Sequence, residues 1–222
     1  AEDDLRINTH TLAYKVLIIG LGQLGLPVAK YVKDKGFDVY GYDISQKAIQ
    51  RAEKIASIKK ADNFSEFDVY IICISTHRPD DMFTPQIDGL FSIVQEKIAK
   101  EAKNGALVSI ESTIPRGTPK KGFDRLNHRL HVAHIPHRWY ALEEIEHGVN
   151  QLRVIGGVRD CCLGVGMQFY DGHRWESDIT INNENDGSKG ADTARLTTHE
   201  LTCSTALMMD TAPTGTLGIP MH

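Results

Sequence analysis

The sequence predicts an α/β fold built on a doubly wound parallel sheet, followed by an irregular C-terminal appendage. A short apolar strand at about Lys15–Gly20 leads into a glycine-rich turn and then an amphipathic helix. Further apolar segments follow, each separated from the next by helix-length sequence. Beyond Arg159 this alternation ends, and Thr, Asn, Asp and Gly dominate. We therefore expect an N-terminal arm (1–13), a sheet domain (14–158) and a C-terminal segment of unassigned fold (159–222).

Composition excludes several classes of partner. The 222 residues carry a formal net charge of −4, which gives no electrostatic footprint for nucleic acid. No apolar run reaches membrane-spanning length, and the acidic opening at Glu2 is unlike a signal peptide. We expect a cytoplasmic protein with no nucleic-acid or membrane partner. Its four cysteines lack C-x-x-C spacing, so the sequence favours reduced thiols over disulfides or a zinc site.

The glycine-rich turn has the spacing of a dinucleotide-binding fingerprint. Gly20, Gly22 and Gly25 lie between the first apolar strand and the helical pattern that follows it. In that context Gly20 permits a tight turn, Gly22 lets backbone amides approach a pyrophosphate, and Gly25 lets the helix pack closely on the strand. The pyrophosphate is then held at the helix N-terminus. A Rossmann-like domain is therefore predicted.

A carboxylate ends the second predicted strand at Asp43, 18 residues beyond Gly25. At this spacing it accepts hydrogen bonds from the adenosine ribose and repels a 2′-phosphate. The sequence therefore favours NAD over NADP, with Lys47 as the one nearby cation that softens the preference. In the alternative interpretation, Asp43 is only a helix N-terminal carboxylate ahead of Ser45.

The remaining elements follow in order. Gly36 ends the first helix, and Ser45 begins a second whose apolar face includes Ile55. The further elements predicted are a weak strand in 55–61, a helical turn at 62–67, strands at 69–74, 106–110 and 130–135, a long helix from Asp88, an acidic helix at 139–147 and a strand at 152–157. A helix at 192–209 is considered, although four threonines lower its propensity.

Polar residues follow two of the predicted strands. Ser75 and Thr76 come after the strand at 69–74, and Thr113 after the strand at 106–110. Ligands of open parallel sheets bind beyond the carboxyl ends of the strands, so the first of these loops is expected to border the cofactor. Histidines also recur at every third position from 128 to 137, but strand residues alternate between faces and a shared metal site is not expected. No metal ligand is therefore predicted.

Six segments, taken in this order, carry a family resemblance. They are Gly20-Leu-Gly-Gln-Leu-Gly-Leu-Pro-Val-Ala29, Tyr42-Asp43, Ile72-Cys-Ile-Ser-Thr76, Glu111-Ser-Thr-Ile-Pro-Arg-Gly-Thr118, Pro136-His-Arg138 and Arg153-Val-Ile-Gly-Gly157. Over residues 14–158 the chain resembles the nucleotide-sugar 6-dehydrogenases, which act on UDP-glucose, UDP-N-acetylmannosamine or GDP-mannose. The resemblance implies oxidation of the C6 alcohol of a nucleotide sugar to a carboxylate in two NAD-dependent steps, through a thiohemiacetal on a cysteine. It also implies a homodimer in the full-length architecture.

The resemblance implies a set of site residues. Thr113 matches the threonine that helps to position the catalytic water, and Thr76 matches the nicotinamide-side loop. If the family resemblance is set aside, a hydroxyl that stabilises a turn explains Thr113 equally well. The cofactor-binding residues expected are Gly20, Gly22, Gln23, Leu24, Gly25, Asp43, Ser75, Thr76 and Thr113.

Departures from the family pattern concern catalysis. His137 stands where the family has an acidic residue, with Glu143 and Glu144 nearby in sequence. The family's central helix carries a lysine and an asparagine. In one alignment this helix matches Ala191–His199, with Arg in place of the Lys and His in place of the Asn. In the alignment that we prefer, Leu217–His222 matches the segment just before the helix. The Gly-Gly-x-Cys motif of the nucleophile is absent.

We therefore expect the cofactor half of such an enzyme, with a non-catalytic NAD-binding or dimerising module as the alternative. A hydroxyacid dehydrogenase of the 6-phosphogluconate group is a third hypothesis. Its Gly-Gly-Lys helix and Asn are not found in this sequence. The residues present do not identify the sugar.

Overall fold

The computed structural model describes residues 14–136, apart from 79 and 82, and residues 155–171. Seven strands form one sheet in the order β3-β2-β1-β4-β5-β6-β7. They are β1 Lys15–Ile19, β2 Asp38–Tyr42, β3 Lys59–Lys60, β4 Val69–Ile72, β5 Leu107–Ile110, β6 His131–His134 and β7 Gly156–Gly157. All neighbouring strands are parallel except β6 and β7. The prediction of a doubly wound, mostly parallel sheet is confirmed.

Helices cover both faces of the sheet. They are α1 Gly25–Asp34, α2 Gln46–Ala56, α3 Asp88–Ile93, α4 Ala99–Glu101, α5 Thr118–Arg125 and α6 Asp160–Asp171, with a π-helical segment Val94–Ile98 joining α3 to α4. Alternate side chains of each strand point to opposite faces. Val16 and Ile18 of β1 therefore pack in one buried cluster, and Leu17 and Ile19 pack in the other. Packing on both faces holds the strands, and therefore the loops at their carboxyl ends, in fixed positions relative to one another.

Several local predictions are confirmed. Ser45 begins α2, where its side chain accepts a hydrogen bond from the Ala48 amide at 3.4 Å. Gly36 follows α1 with a φ of +95°, a conformation that glycine adopts without strain. In α2, Ile49 and Ala52 are buried as expected. Ile55, which we placed on the same face, is 60% exposed. Each step of three residues falls about 60° short of a full helical turn, so the two steps from Ile49 through Ala52 carry Ile55 off the buried face.

Two predicted elements are wrong. The strand β7 pairs antiparallel with β6, through Ala133↔Gly157 and His134↔Gly156. This direction places the end of β7 beside the beginning of β6, where the Val158 amide donates to the Val132 carbonyl at 3.1 Å. The predicted helical turn at 62–67 is a bent segment. Its backbone bonds to side chains instead, as when the Asn63 side chain accepts from the Ser65 amide.

The packed unit extends past residue 158, where we expected an unassigned segment to begin. In α6, Phe169 and Tyr170 are buried in the same cluster as Val16 and Ile18 of β1. The predicted helices at 139–147 and 192–209, and the first residues of the predicted strand at 152–157, lie outside the described residues. Among the described residues, no helix is long and apolar enough to cross a membrane.

Candidate functional site

The strand order fixes where a ligand site forms. From β1 the chain first builds outward through β2 and β3, then returns to place β4 on the other side of β1. At such a switch point the loops leaving neighbouring strands diverge and open a crevice beyond their carboxyl ends. The loops after β1, β2, β4 and β5 all leave this edge. They carry all the residues predicted to bind the cofactor.

Two glycines in the first loop are required by close backbone packing. Gly20 has a φ of +90°, and a Cβ there would lie 2.8 Å from the Cys73 carbonyl oxygen. At Gly25 a Cβ would lie 1.7 Å from the carbonyl oxygen of Gly20. A side chain at Gly25 is therefore incompatible with this turn, and the roles predicted for Gly20 and Gly25 agree with the geometry.

The third glycine borders open space. A Cβ on Gly22 would have no protein atom of the described chain within 4 Å. Gly22 and Gln23 are exposed. At Gly22 a ligand therefore reaches the backbone without meeting a side chain of that residue. These features fit a pyrophosphate held against the turn.

The beginning of α1 is suited to an anion. Its N-cap residue, Leu24, supplies no side-chain hydrogen bond to the helix, and the first turn contains no acidic residue. The beginning of a helix is the positive end of its dipole. A phosphate placed over Gly22 would lie at this positive end.

Asp43 lies directly after β2 and is anchored by two backbone amides. Its Oδ2 accepts from the Leu21 amide at 2.7 Å, and its Oδ1 accepts from the Ser45 amide at 2.7 Å. The first bond ties the carboxylate to the glycine loop. The second resembles the helix-start role that we considered as the alternative. Each oxygen of a carboxylate accepts more than one hydrogen bond, so both Asp43 oxygens retain the capacity to accept another.

A cation that the sequence reasoning missed also contacts the glycine loop. Arg51 of α2 donates through Nη2 to the Leu21 carbonyl at 3.2 Å. It lies one helical turn after Lys47, the cation that we singled out. An i, i+4 search along α2 from Lys47 would have identified it. Its guanidinium adds positive charge beside the turn.

The loops after β4 and β5 are joined by hydroxyl groups. Thr76 donates through Oγ1 to the Thr113 carbonyl at 2.6 Å, and Ser112 donates through Oγ to the Ile74 carbonyl at 2.7 Å. The Thr113 side chain is exposed at this edge. Ser75, in contrast, bonds within its own loop, to the His77 carbonyl at 3.0 Å. Thr76 and Thr113, predicted from separate motifs, are thus adjacent.

A buried polar cluster supports this part of the site from behind. Tyr170 of α6 donates to Glu111 Oε1 at 3.0 Å, and its hydroxyl lies 2.7 Å from Ser109 Oγ. Next to it, His134 Nε2 lies 3.3 Å from the Ser112 carbonyl oxygen. Glu111 directly precedes Ser112 and Thr113 in sequence. Sequence analysis did not identify Tyr170, because its only local signal was an aromatic residue in a weakly patterned segment.

The histidines of the three-residue series make separate contacts. His128 pairs with Asp124 at 2.8 Å, and this contact holds the pKa of the Asp124 carboxyl below its usual value. His134 is buried, and His131 is half-buried. Burial lowers the pKa of His131. His137, the last of the series, lies outside the described residues.

The remaining residues weighed for catalysis also fall outside the described ranges. They are Arg138, Glu143, Glu144, the segments 191–199 and 217–222, and Cys203. Cys161 and Cys162 lie in the first turn of α6, as expected for the start of a helix.

Comparison with known proteins identifies the domain type. Residues 15–120 match the family model of the NAD-binding domain of 6-phosphogluconate dehydrogenase. This match confirms NAD as the cofactor of the domain.

The curated relatives are dehydrogenases that act on a nucleotide sugar. The chain is 30% identical over 178 residues to the UDP-N-acetyl-D-mannosamine dehydrogenase of Methanococcus maripaludis, covering 70% of this chain and 42% of that protein. The enzyme of the same name from Methanocaldococcus jannaschii is 27% identical over 188 residues, covering 75% of this chain and 44% of its own length. The chain thus spans less than half the length of these curated relatives.

Solved structures of nucleotide-sugar dehydrogenases are also similar to this chain. The structure of UDP-D-ManNAc dehydrogenase from Pyrococcus horikoshii has a TM-score of 0.62 at 26% identity, covering 82% of this chain and 49% of that chain. GDP-mannose dehydrogenase from Pseudomonas aeruginosa, at 16% identity and a TM-score of 0.59, shares the fold and covers 86% of this chain and 49% of its own. These comparisons confirm the predicted resemblance to nucleotide-sugar dehydrogenases, which are oxidoreductases.

Proposed function

We propose that this chain carries the NAD-binding domain of a nucleotide-sugar dehydrogenase and serves NAD-dependent oxidation of the C6 alcohol of a nucleotide sugar. The observation that carries the proposal is the convergence of four loops on one sheet edge. The glycine loop is bonded to Asp43, and Thr76 is bonded to Thr113. NAD, when bound, accepts the hydride that leaves C6 of the sugar.

We assign the two ends of the cofactor by chemistry. The pyrophosphate lies over Gly22 at the start of α1, where open space and the positive end of the helix dipole favour an anion. The adenosine ribose lies at Asp43, whose oxygens are held by the Leu21 and Ser45 amides and so need no rearrangement on binding. Ile44, which is 92% exposed directly after Asp43, offers an apolar surface to the adenine.

The nicotinamide end is then directed toward the loops after β4 and β5. The Thr76 bond fixes the backbone at Thr113, and Ser112 fixes the same loop through Ile74. We propose that the Thr113 hydroxyl orients the water consumed in forming the carboxylate. A hydroxyl suits this task, because it both donates and accepts a hydrogen bond. The loop is rigid because hydroxyl groups tie it to its neighbour.

A second candidate function is a non-catalytic NAD-binding or dimerising module. The described residues hold the candidate dinucleotide site, and the sequence contains no Gly-Gly-x-Cys motif. A module of this kind binds NAD and needs no cysteine nucleophile. We also propose a homodimer for the full-length architecture that the resemblance implies, and light scattering coupled to gel filtration of that full-length protein should report twice the mass of one subunit. A monomer mass would refute the dimer.

Turnover separates the two candidates. The full chain is incubated with NAD and, separately, UDP-N-acetylmannosamine, UDP-glucose or GDP-mannose, while NADH absorbance is followed and NAD binding is measured by calorimetry. NADH formation with one sugar supports the enzyme, and a Thr113→Val variant should then bind NAD normally but turn over more slowly. NAD binding without turnover supports the module. The absence of NAD binding refutes both candidates.

A further inference from the structure

A second cluster of reactive side chains lies away from the cofactor edge. His131, Cys161 and Cys162 each present a ligand atom, and these three atoms lie within 4.8 Å of one another. His131 is the first residue of β6, which runs parallel to β5. The cluster is therefore at the amino edge of the parallel strands, opposite the edge that carries Gly22 and Thr113.

The backbone beneath the cluster is well fixed. The Val158 amide donates to the Val132 carbonyl at 3.1 Å, and this bond joins the beginning of β6 to the residues before α6. A Cβ on Gly157 would lie 2.4 Å from the Leu163 nitrogen, so the first turn of α6 packs directly on β7. The histidine and the two cysteines come from elements far apart in sequence. Their proximity is built by the fold.

We propose that His131, Cys161 and Cys162 form a three-ligand zinc site that ties α6 to β6. Two thiolates and one imidazole are a donor set that zinc takes in proteins, with solvent in the fourth position of the tetrahedron. Zinc lies about 2.3 Å from sulfur and about 2.0 Å from nitrogen, so the ligand atoms of a tetrahedral site are about 3.6–3.8 Å apart. Since the ligand atoms already lie within 4.8 Å of one another, small side-chain rotations bring them to these separations, and exposed Cys161 is the freest to rotate.

The position of the two cysteines suits a cation-binding pair of thiolates. Both lie in the first turn of α6, at the positive end of the helix dipole. With two thiolates and one neutral imidazole, bound Zn²⁺ leaves no net charge beside the apolar core.

Metal titration of the reduced, chelator-treated full chain tests the site. Zn²⁺ is measured by competition with a chromophoric chelator, and Co²⁺ serves as a spectroscopic probe, because thiolate ligands give a sulfur-to-cobalt charge-transfer band. We expect one ion per chain, a charge-transfer band and a rise of several degrees in the melting temperature. The expected affinity loss in Cys161→Ser and His131→Asn is at least about 100-fold, since even residues behind the ligands are worth 10–100-fold.

Two control variants test whether metal binding depends on these three side chains and not on other histidines or cysteines. His128→Asn changes an exposed histidine outside the cluster, and Cys203→Ser changes a thiol outside the described residues. Both should retain the affinity and the cobalt band. Cys161 is exposed, so its variant is expected to fold, and circular dichroism checks this. A wild-type chain without the band, or a band that survives Cys161→Ser, overturns the proposal. NAD binding, measured in parallel, should not change in any variant.

Discussion

Replacing Gly22 by alanine separates binding from folding at the proposed pyrophosphate position. The added Cβ meets no atom of the described chain within 4 Å, and Gly22 is not in the left-handed region. Alanine also restricts the unfolded chain. The free energy of unfolding should therefore stay the same or rise by about 0.4–1 kcal/mol. The folded protein accommodates this methyl group, whereas a phosphate lying on the loop does not.

The expected loss of NAD affinity follows from the amides that the methyl group blocks. A hydrogen bond to a charged group contributes about 1.5–3 kcal/mol. Losing one such bond weakens NAD binding about 10- to 150-fold, at about 1.4 kcal/mol per factor of ten. Urea denaturation gives the stability of Gly22→Ala, and calorimetry gives its dissociation constant for NAD.

The matched control is Gly164→Ala. Gly164 also has open space around the position of a Cβ, but it lies in α6, away from the loop. It should gain about 0.5–1 kcal/mol of stability, as for alanine in a helix, and bind NAD unchanged. Our placement of the pyrophosphate is refuted if Gly22→Ala folds normally and still binds NAD within about threefold of the wild type, a difference of only about 0.7 kcal/mol.

Three further substitutions test neighbouring contacts. Gly25→Ala places a methyl group 1.7 Å from the Gly20 carbonyl oxygen, so urea denaturation should show a loss of at least about 1–3 kcal/mol; unchanged stability would contradict the close packing. Asp43→Asn should weaken NAD binding about 10- to 150-fold by calorimetry and weaken NADP binding less, and an equal loss for both cofactors would argue against a ribose contact. Tyr170→Phe removes the hydroxyl that donates to Glu111, and we expect about 1–3 kcal/mol less stability in urea; a neutral result would show that the buried bond contributes nothing net.

Local chemistry made the cofactor side of the molecule predictable from sequence. The glycines at 20, 22 and 25 act through the backbone, and their spacing alone fixes the turn. Asp43 ends its strand, and parallel strands bring such ends to one edge of the sheet. Thr76 and Thr113 are adjacent for the same reason, because each follows the carboxyl end of a parallel strand.

Contacts between distant segments were not predictable in the same way. Two paired residues carry no pattern that distinguishes a parallel from an antiparallel strand, so the direction of β7 was missed. The Tyr170–Glu111 bond and the approach of Cys161 to His131 both depend on how α6 docks. That docking in turn follows from the antiparallel edge strand, and a weakly amphipathic, glycine-containing helix gives little sign of it in sequence.

Calorimetric titration of the full wild-type chain with NAD, and in parallel with NADP, tests the central claim most directly. We expect a single NAD site per chain and weaker binding of NADP, because the Asp43 carboxylate accepts ribose hydroxyls and repels a 2′-phosphate. Tighter binding of NADP would contradict the role of Asp43. The absence of binding by either cofactor would contradict the dinucleotide site as a whole.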